Sequence, residues 1–392
     1  MTAQKEYFIY LLSCFLSGET PQGREVDFEE LYRLADIHDV GGIIATELRA
    51  LPKEYQPQGM LRSHFIQTIG LTVRDYQAKD KVYHYIDELL SEAKVRHLFV
   101  KGAVLRRFYP APELRTSGDI DVIVAPESFP AILDIVQRTD GIRITDRTTN
   151  LIVLQISGVS VEIHDNADVS LAAYFDDIFS LCNKTANPYT LQLPDDDHLL
   201  YVIAHLAKHI AYRGAGIRML MDVDVMLRHM SQEEVNAFLK HCEIAGIGKT
   251  AETLLSLCVL WFGTPVEINV DVSGNEELLN SFEHVLLDGG SFGYEENSVP
   301  VRYIGEASAQ SLFGKIRVLL KMAFPGRDYL KKCYPYYAAH PFLLPVARVN
   351  RLIDGLFRKR RQAKSAVKQM KDGTCGSAWQ MALINELEIN FK

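Results

Sequence analysis

"LFVKGAVLRRFYPAPELRTSGDIDVIVAPE", residues 98–127, is the stretch on which the reading of this chain turns. A short apolar run ends at Lys101-Gly102 and passes at once into "AVLRRFYPAPEL", a predicted helix stopped by Pro110 and Pro112. Polar "RTSG" follows, and then "DIDVIVAP", a strand that begins with two aspartates. Successive strand side chains point to opposite faces, so Asp119 and Asp121 share one face while Ile120 and Val122 point into the core. Two carboxylates at that spacing can share divalent cations, and magnesium completes an oxygen shell with phosphate oxygens and water.

Phosphatases, sugar transferases and nucleotidyl transferases all use an Asp-x-Asp pair, and a plain turn entering a strand can show one as well. In the first two chemistries the pair tends to close a strand. Here it opens one, the nucleotidyl-transferase order. A two-metal phosphoryl-transfer site needs one more carboxylate from a neighbouring element. "VSVEIHDN" offers it: Val161 and Ile163 face one side, Glu162 and His164 the other. Taken alone, Glu162 reads equally well as an exposed strand residue. Upstream, a strand running through Lys101-Gly102 into a helix presents backbone N–H groups as a phosphate cradle. Glycine permits close approach there, and Lys101 adds a compact charge suited to a triphosphate. Many α/β turns look like this one, but the Arg115-x-x-Gly-Asp-x-Asp run after it strengthens the signal.

Strands alternate with helices between about 95 and 165, which predicts an α/β or α+β module. Residues before it look helical throughout, with Asp27 as an N-cap and one long helix from about Leu61 to Ala93, roughly 50 Å at 1.5 Å per residue. Helical periodicity returns at Asp195, loops around one helix are expected between Pro265 and Val301, and a basic helix follows the C-terminal prolines. The expected division is therefore 1–94 helical, 95–192 the α/β core, 193–270 helical and 271–392 helical with the basic segment. The fold class is α+β, a small mixed sheet with large flanking helical regions.

At 392 residues the chain is longer than one core usually serves, and 47% hydrophobic with 23% charged residues is ordinary for a globular protein. A formal charge of −8 argues against a protein that coats nucleic acid, though it leaves room for a local basic patch. Six cysteines without a Cys-x-x-Cys pair suit free thiols in a reducing cytosol. "YFIYLLSCFLSG", residues 7–18, is too short to span a bilayer and lacks a positive flank, so it reads as a buried amphipathic helix. No other long apolar stretch occurs, so no integral membrane segment is expected and the location is cytoplasmic.

The helix "DDDHLLYVIAHLAKHIAY" sorts its residues cleanly. Leu199, Leu200, Ile203, Leu206, Ala207 and Ile210 gather on one face, and His198, Tyr201, His205, His209 and Tyr212 fall within roughly 80° on the other. The histidine stripe could line a cleft or pack against the N-terminal helices; His205 and His209 at i, i+4 lack an evident third ligand for zinc. Arg218 and Asp222 have the spacing of a helix salt bridge. The basic run 358–371 reads first as a solvated face and second as a contact for RNA phosphates or anionic headgroups.

Residues 98–127 resemble the signature of a family of uncharacterised bacterial nucleotidyltransferases within the DNA-polymerase-β-like superfamily: Lys-Gly-Ala, a helix, Tyr-Pro, then Arg-x-x-Gly-Asp-Ile-Asp. The likeness extends more loosely to "VEIHDN", to residues 199–227 and to the N-terminal helices. It implies a nucleotidyltransferase core that uses Mg²⁺ or Mn²⁺ and an NTP, and moves an NMP to an unidentified acceptor, a small molecule or an RNA end. By position it implies Asp119, Asp121 and Glu162 as catalytic metal ligands. Lys101, Gly102 and Ala103 would form the phosphate loop, with Arg115, Ser117 and Gly118 close by. His164, on the face of Glu162, and His205 and His209, on the polar stripe of their helix, are candidate nucleotide contacts on the reading of the residues alone. His209 and Asp222 match recurrent family positions without an assigned role. Many superfamily members carry serine where Ala103 stands. The alternative is a non-catalytic binding protein that keeps the fold; Ala103 favours it and the three carboxylates oppose it.

Overall fold

The computed structural model describes residues 1–167, 174–212, 214–290, 340–353 and 376–389, with residues 171, 324, 326, 327, 330, 334, 336 and 337. The chain begins with four helices: α1 (Ala3–Ser17), α2 (Phe28–Ile37), α3 (Gly41–Ala50) and α4 (Gly59–Glu92). Thr2 caps α1, and Asp27 caps α2 by accepting from the N–H groups of Glu29 and Glu30, as the sequence predicts. Helix α4 has 34 residues and matches the expected long helix. Helix α1 departs from expectation in one respect. It buries Tyr7, Phe8, Ile9, Leu11, Leu12, Cys14, Phe15 and Leu16, so it is apolar nearly all round and lies in the core rather than along one amphipathic seam.

The mixed sheet follows, built from β1 (His97–Val100), β2 (Asp119–Val124), β3 (Ile142–Arg147), β4 (Leu151–Ile156), β5 (Val159–His164), β6 (Asn183–Lys184) and β7 (Thr190–Gln192). Its order is β3-β4-β5-β2-β1-β7-β6. β2 is central, antiparallel to β1 and parallel to β5. Short helices α5 (Gly102–Leu105), α6 (Phe129–Arg138) and α7 (Ile178–Leu181) join the strands. The expected helix after Gly102 is broken: α5 has four residues and gives way to 3₁₀ turns at Arg106–Phe108 and Pro112–Leu114, where the prolines interrupt the backbone ladder. Alternation gives the sheet two apolar faces. Phe99, Ile120, Val122, Val161 and Ile163 meet α6 and the second half of α4 (Val82, Ile86, Leu90). Leu98, Val100 and Ile123 turn to the other side and join the core of the helical flank.

That flank comprises α8 (Asp195–Tyr212), α9 (Ile217–Leu227), α10 (Gln232–Ala245), α11 (Gly248–Phe262) and α12 (Glu276–Glu283), which runs on into a π-turn at His284–Asp288. The one-helix expectation beyond Pro265 holds through residue 290. The six apolar residues on the predicted inner face of α8 are all buried. Two further helices, Leu344–Ile353 and Gly376–Glu386, come later; the basic run 358–371 lies outside the described residues. Cys14, Cys182, Cys242 and Cys258 are free thiols. Among the described residues no helix is long and apolar enough to cross a membrane.

Candidate active site

Strand pairing brings the acids together. In the parallel β2/β5 register Asp119 stands beside Ser160, Asp121 beside Glu162, and Ile123 beside His164. Residues two apart share a face, so Asp119, Asp121, Glu162 and His164 all project to the helical side of the sheet. The hairpin that sets the register of β4 against β5 turns through Ser157 and Gly158, both with positive φ (50° and 87°), the two-residue turn whose twist suits antiparallel strands. His164 Nε2 lies 3.4 Å from Asp121 Oδ1 and 3.4 Å from Glu162 Oε2. Asp121, Glu162 and His164 each present a ligand atom within 4.8 Å of the others, so they could share one ion. Asp119 lines the same cleft but stands outside that close set.

Electrostatics divide the two aspartates. Burial, then the charges of Asp121 and Glu162, raise the Asp119 carboxyl above the ordinary range. Burial pushes Asp121 the same way, but Lys101 and His164 overcome it and hold this carboxyl low. For His164, burial opposes the charge and the flanking carboxylates outweigh it, raising the ring to about 9. The cluster thus balances its acids with the cations beside them.

Lys101 occupies the bend between β1 and α5 with φ 54° and ψ −133°, a conformation rare outside glycine. Its Nζ donates to Asp121 Oδ1 at 2.6 Å. Gly102 follows because nothing larger fits: a Cβ there would collide with Arg115 Nη1 and lie 2.9 Å from Ser117 Cβ. With α5 one turn long, the helix dipole at this junction is small, and the cationic character of the bend rests on Lys101. Ala103 does not line the acidic cleft; it faces away, toward Tyr83, Phe99 and Arg106.

Arg115 is not an open phosphate-binding side chain. Its Nε and Nη2 donate to Asp222 Oδ1 and Oδ2 at 3.1 and 2.6 Å, a buried bidentate pair to which Tyr109 Oη adds a bond at 2.7 Å. The helix salt bridge expected between Arg218 and Asp222 does not form. Arg218 Nη1 instead donates to Asp39 Oδ2 at 2.7 Å and to Thr116 Oγ1 at 2.6 Å. Lys79 of α4 donates to Ser117 O, and Thr116 Oγ1 donates to Asp39 O at 2.5 Å. The loop 115–118 is therefore tied to α9, α4 and the α2–α3 turn at once. Spacing along one helix missed these partners because Arg218 and Asp222 each meet a better one across the chain.

Opposite the sheet, α8 and α9 close a cleft of about 520 Å³ with His205, Lys208, His209, Arg218 and Met219, facing Lys101, Ser117, Gly118 and the acids. The predicted histidine stripe divides here. His205 and His209 line the cleft, whereas His198 and Tyr201 are buried and the Tyr212 side chain lies outside the described residues. Burial, then the positive charge of Arg107, lowers His198 to about 4. Burial and the nearby Lys101 and His209 hold His205 neutral. Among the described residues no three-ligand group includes His205 or His209. Lys208 was not among the residues read from the sequence, although it lies one turn from His205 on the same helix, and Arg218 was read only as a helix salt-bridge partner.

Residues 24–263, well over half of the chain, match the model of a family described as an uncharacterised nucleotidyltransferase. The chain belongs to that family. Comparison with curated proteins and with solved structures found no match. The matched segment takes in every cleft residue of this nucleotidyltransferase family member, from Lys101 to Asp222, together with Asp39 and Lys79 that brace loop 115–118.

Proposed function

We propose that the protein transfers a nucleoside monophosphate from an NTP to an acceptor hydroxyl, with release of pyrophosphate, on a DNA-polymerase-β-like core. The observation that carries this reading is the convergence of Asp119, Asp121 and Glu162 on one wall of a cleft whose bend presents Lys101. The donor set fits a divalent cation: carboxylates lie within sharing distance and a buried imidazole nitrogen beside them lacks a hydrogen-bond partner. Mg²⁺ or Mn²⁺ held by Asp119, Asp121 and Glu162 would neutralise triphosphate charge and lower the pKa of the acceptor hydroxyl.

The chain's own groups do the rest. Lys101 and Gly102 hold the triphosphate, with Ser117 and Gly118 of the braced loop beside them. Glu162, its side chain 30% exposed, takes the acceptor proton as the oxygen bonds to the α-phosphorus and the bond to the β-phosphate oxygen breaks. A cleft of about 520 Å³ is in the range of small-molecule sites, which favours a small acceptor or an RNA end over a folded protein. Incubation with α-³²P-labelled NTPs, Mg²⁺ and pools of candidate acceptors should give labelled product and pyrophosphate, both abolished in Asp119→Asn/Asp121→Asn. If the wild-type chain binds neither Mn²⁺ nor non-hydrolysable ATP at millimolar concentration, the catalytic reading falls and the non-catalytic one replaces it.

A further inference from the structure

The geometry points to a mixed nitrogen–oxygen ion site, Asp121–Glu162–His164, that selects a transition-series divalent cation such as Mn²⁺ over Mg²⁺. The inference deepens the proposed activity and rests on that reading for its biological sense, though ion binding itself is measurable without turnover. Three observations carry it. His164 is 6% exposed, and its Nε2 is a buried atom without a hydrogen-bond partner. That nitrogen sits 3.4 Å from one oxygen of each neighbouring carboxylate, Asp121 Oδ1 and Glu162 Oε2. The three ligand atoms lie within 4.8 Å of one another, while Asp119 is not part of the set. A buried nitrogen aimed between two carboxylate oxygens, yet too far for a good hydrogen bond to either, has the spacing of groups that meet at a common ion rather than at each other.

The choice of metal follows from the donor type. Magnesium takes oxygen ligands and parts with its water reluctantly, whereas imidazole nitrogen suits the first-row transition ions. The arrangement is held by backbone register, not by a mobile loop: Asp121 and Glu162 are paired across β2/β5, and His164 is two residues along the same face. Lys101 Nζ donates to Asp121 Oδ1, the oxygen that also faces His164. A cation arriving on that oxygen competes with the ammonium, so ion binding would favour turning Lys101 toward the triphosphate.

Mn²⁺ and Mg²⁺ should be titrated into metal-free full-length protein, with and without non-hydrolysable ATP, and the Mn²⁺ complex studied by pulsed electron paramagnetic resonance. The expected result is a ¹⁴N coupling from a directly bound imidazole and a Kd for Mn²⁺ at least about tenfold below that for Mg²⁺. In His164→Gln the coupling should vanish and the ratio shrink to within about threefold, because amide oxygen replaces nitrogen. His205→Gln and His209→Gln should retain the coupling. Should His164→Gln fold poorly, ¹⁵N-histidine labelling of the wild-type chain still reads the bond directly. Mn²⁺ bound without nitrogen coupling, or coupling that survives His164→Gln, overturns this proposal and leaves the nucleotidyl-transfer reading standing. No ion binding even with ATP overturns both.

Discussion

Lys101 combines two functions that its conformation sets against each other. Its ammonium neutralises buried Asp121, while its backbone holds a positive φ that only glycine adopts freely. Replacing it with alanine should destabilise the protein by about 3 kcal/mol, since a buried carboxylate loses its main partner. Lys101→Gly should lose about 1 kcal/mol less, because it escapes the side-chain strain at that φ. Urea melts of the two variants decide the matter; equal midpoints would mean that no strain is stored at the bend. Residue chemistry of this kind is half legible in sequence: Lys101 stands out as a cation before a glycine, but its φ and its carboxylate partner require the fold. His38 makes the same point away from the site. It is fully buried, and its Nε2 donates to Leu287 O at 3.0 Å. Burial lowers its pKa to about 4 from 6.5. The unfolded chain therefore takes up a proton that the folded chain refuses, so the stability is complete above 6.5 and is lost as pH falls toward 4. By pH 5 the loss should be about 2 kcal/mol for this ring, and His198, lowered in the same direction, adds to it. His38→Gln should remove its share when urea midpoints at pH 7 and pH 5 are compared, and an unchanged difference would show that the ring titrates freely.

Strands, turns and capped helices were largely readable because each is specified by neighbours in sequence. Alternation in "DIDVIV" and "VSVEIH" placed Asp119 with Asp121 on one face of its strand and Glu162 with His164 on one face of theirs, and the pairing of β2 with β5 sets the two faces side by side. What alternation cannot state is register between strands distant in sequence, and that register decides that Glu162 meets Asp121 rather than Asp119. The loop 115–118 shows the same limit. Its residues look like site groups, yet Arg115 is bound to Asp222, 107 residues away. A buried pair of this type is costly to break and cheap to replace whole. Arg115→Met and Asp222→Leu should each destabilise by about 3–5 kcal/mol, and the double variant by less than either single change. Additive losses in denaturant melts would show that the two residues act separately. Gly102→Ala tests the neighbouring element. Its Cβ would push the Arg115 guanidinium off Asp222, so stability should fall by about 1–3 kcal/mol and nucleotide affinity with it. Unchanged melting and unchanged ATP binding would mean that the bend is looser than drawn.

The whole chain is knit by one apolar cluster that passes from α1 and α3 under the sheet to α8, α9 and α11, and includes Leu383 and Leu387 near the end. Sequence periodicity identified the helices on either side of the sheet but not that they share a core, since an apolar stripe marks a buried face without naming the helix that covers it. The cleft depends on that sharing. Asp39, between α2 and α3, holds Arg218 of α9 at 2.7 Å, and Thr116 donates to its backbone oxygen, so the N-terminal helices reach the loop beside the acids. A chain lacking residues 1–18 should therefore lose more than a flanking helix. Phe8, Leu11, Leu12, Phe15 and Leu16 are each at least 94% buried, and full burial of such side chains contributes about 1.5–3 kcal/mol apiece. Five of them sum to roughly 7–15 kcal/mol, the size of the entire stability of a typical domain. The partners left behind on α3 and α11 would face water. The expected outcome is a truncated chain without a cooperative thermal transition, which binds a hydrophobic dye and no nucleotide. If it instead melts cooperatively within about 5 °C of the full chain, the helical layers are separately stable, because a loss of even 1–2 kcal/mol would move the midpoint by several degrees. The cleft would then be a contact between independent units rather than a product of one core.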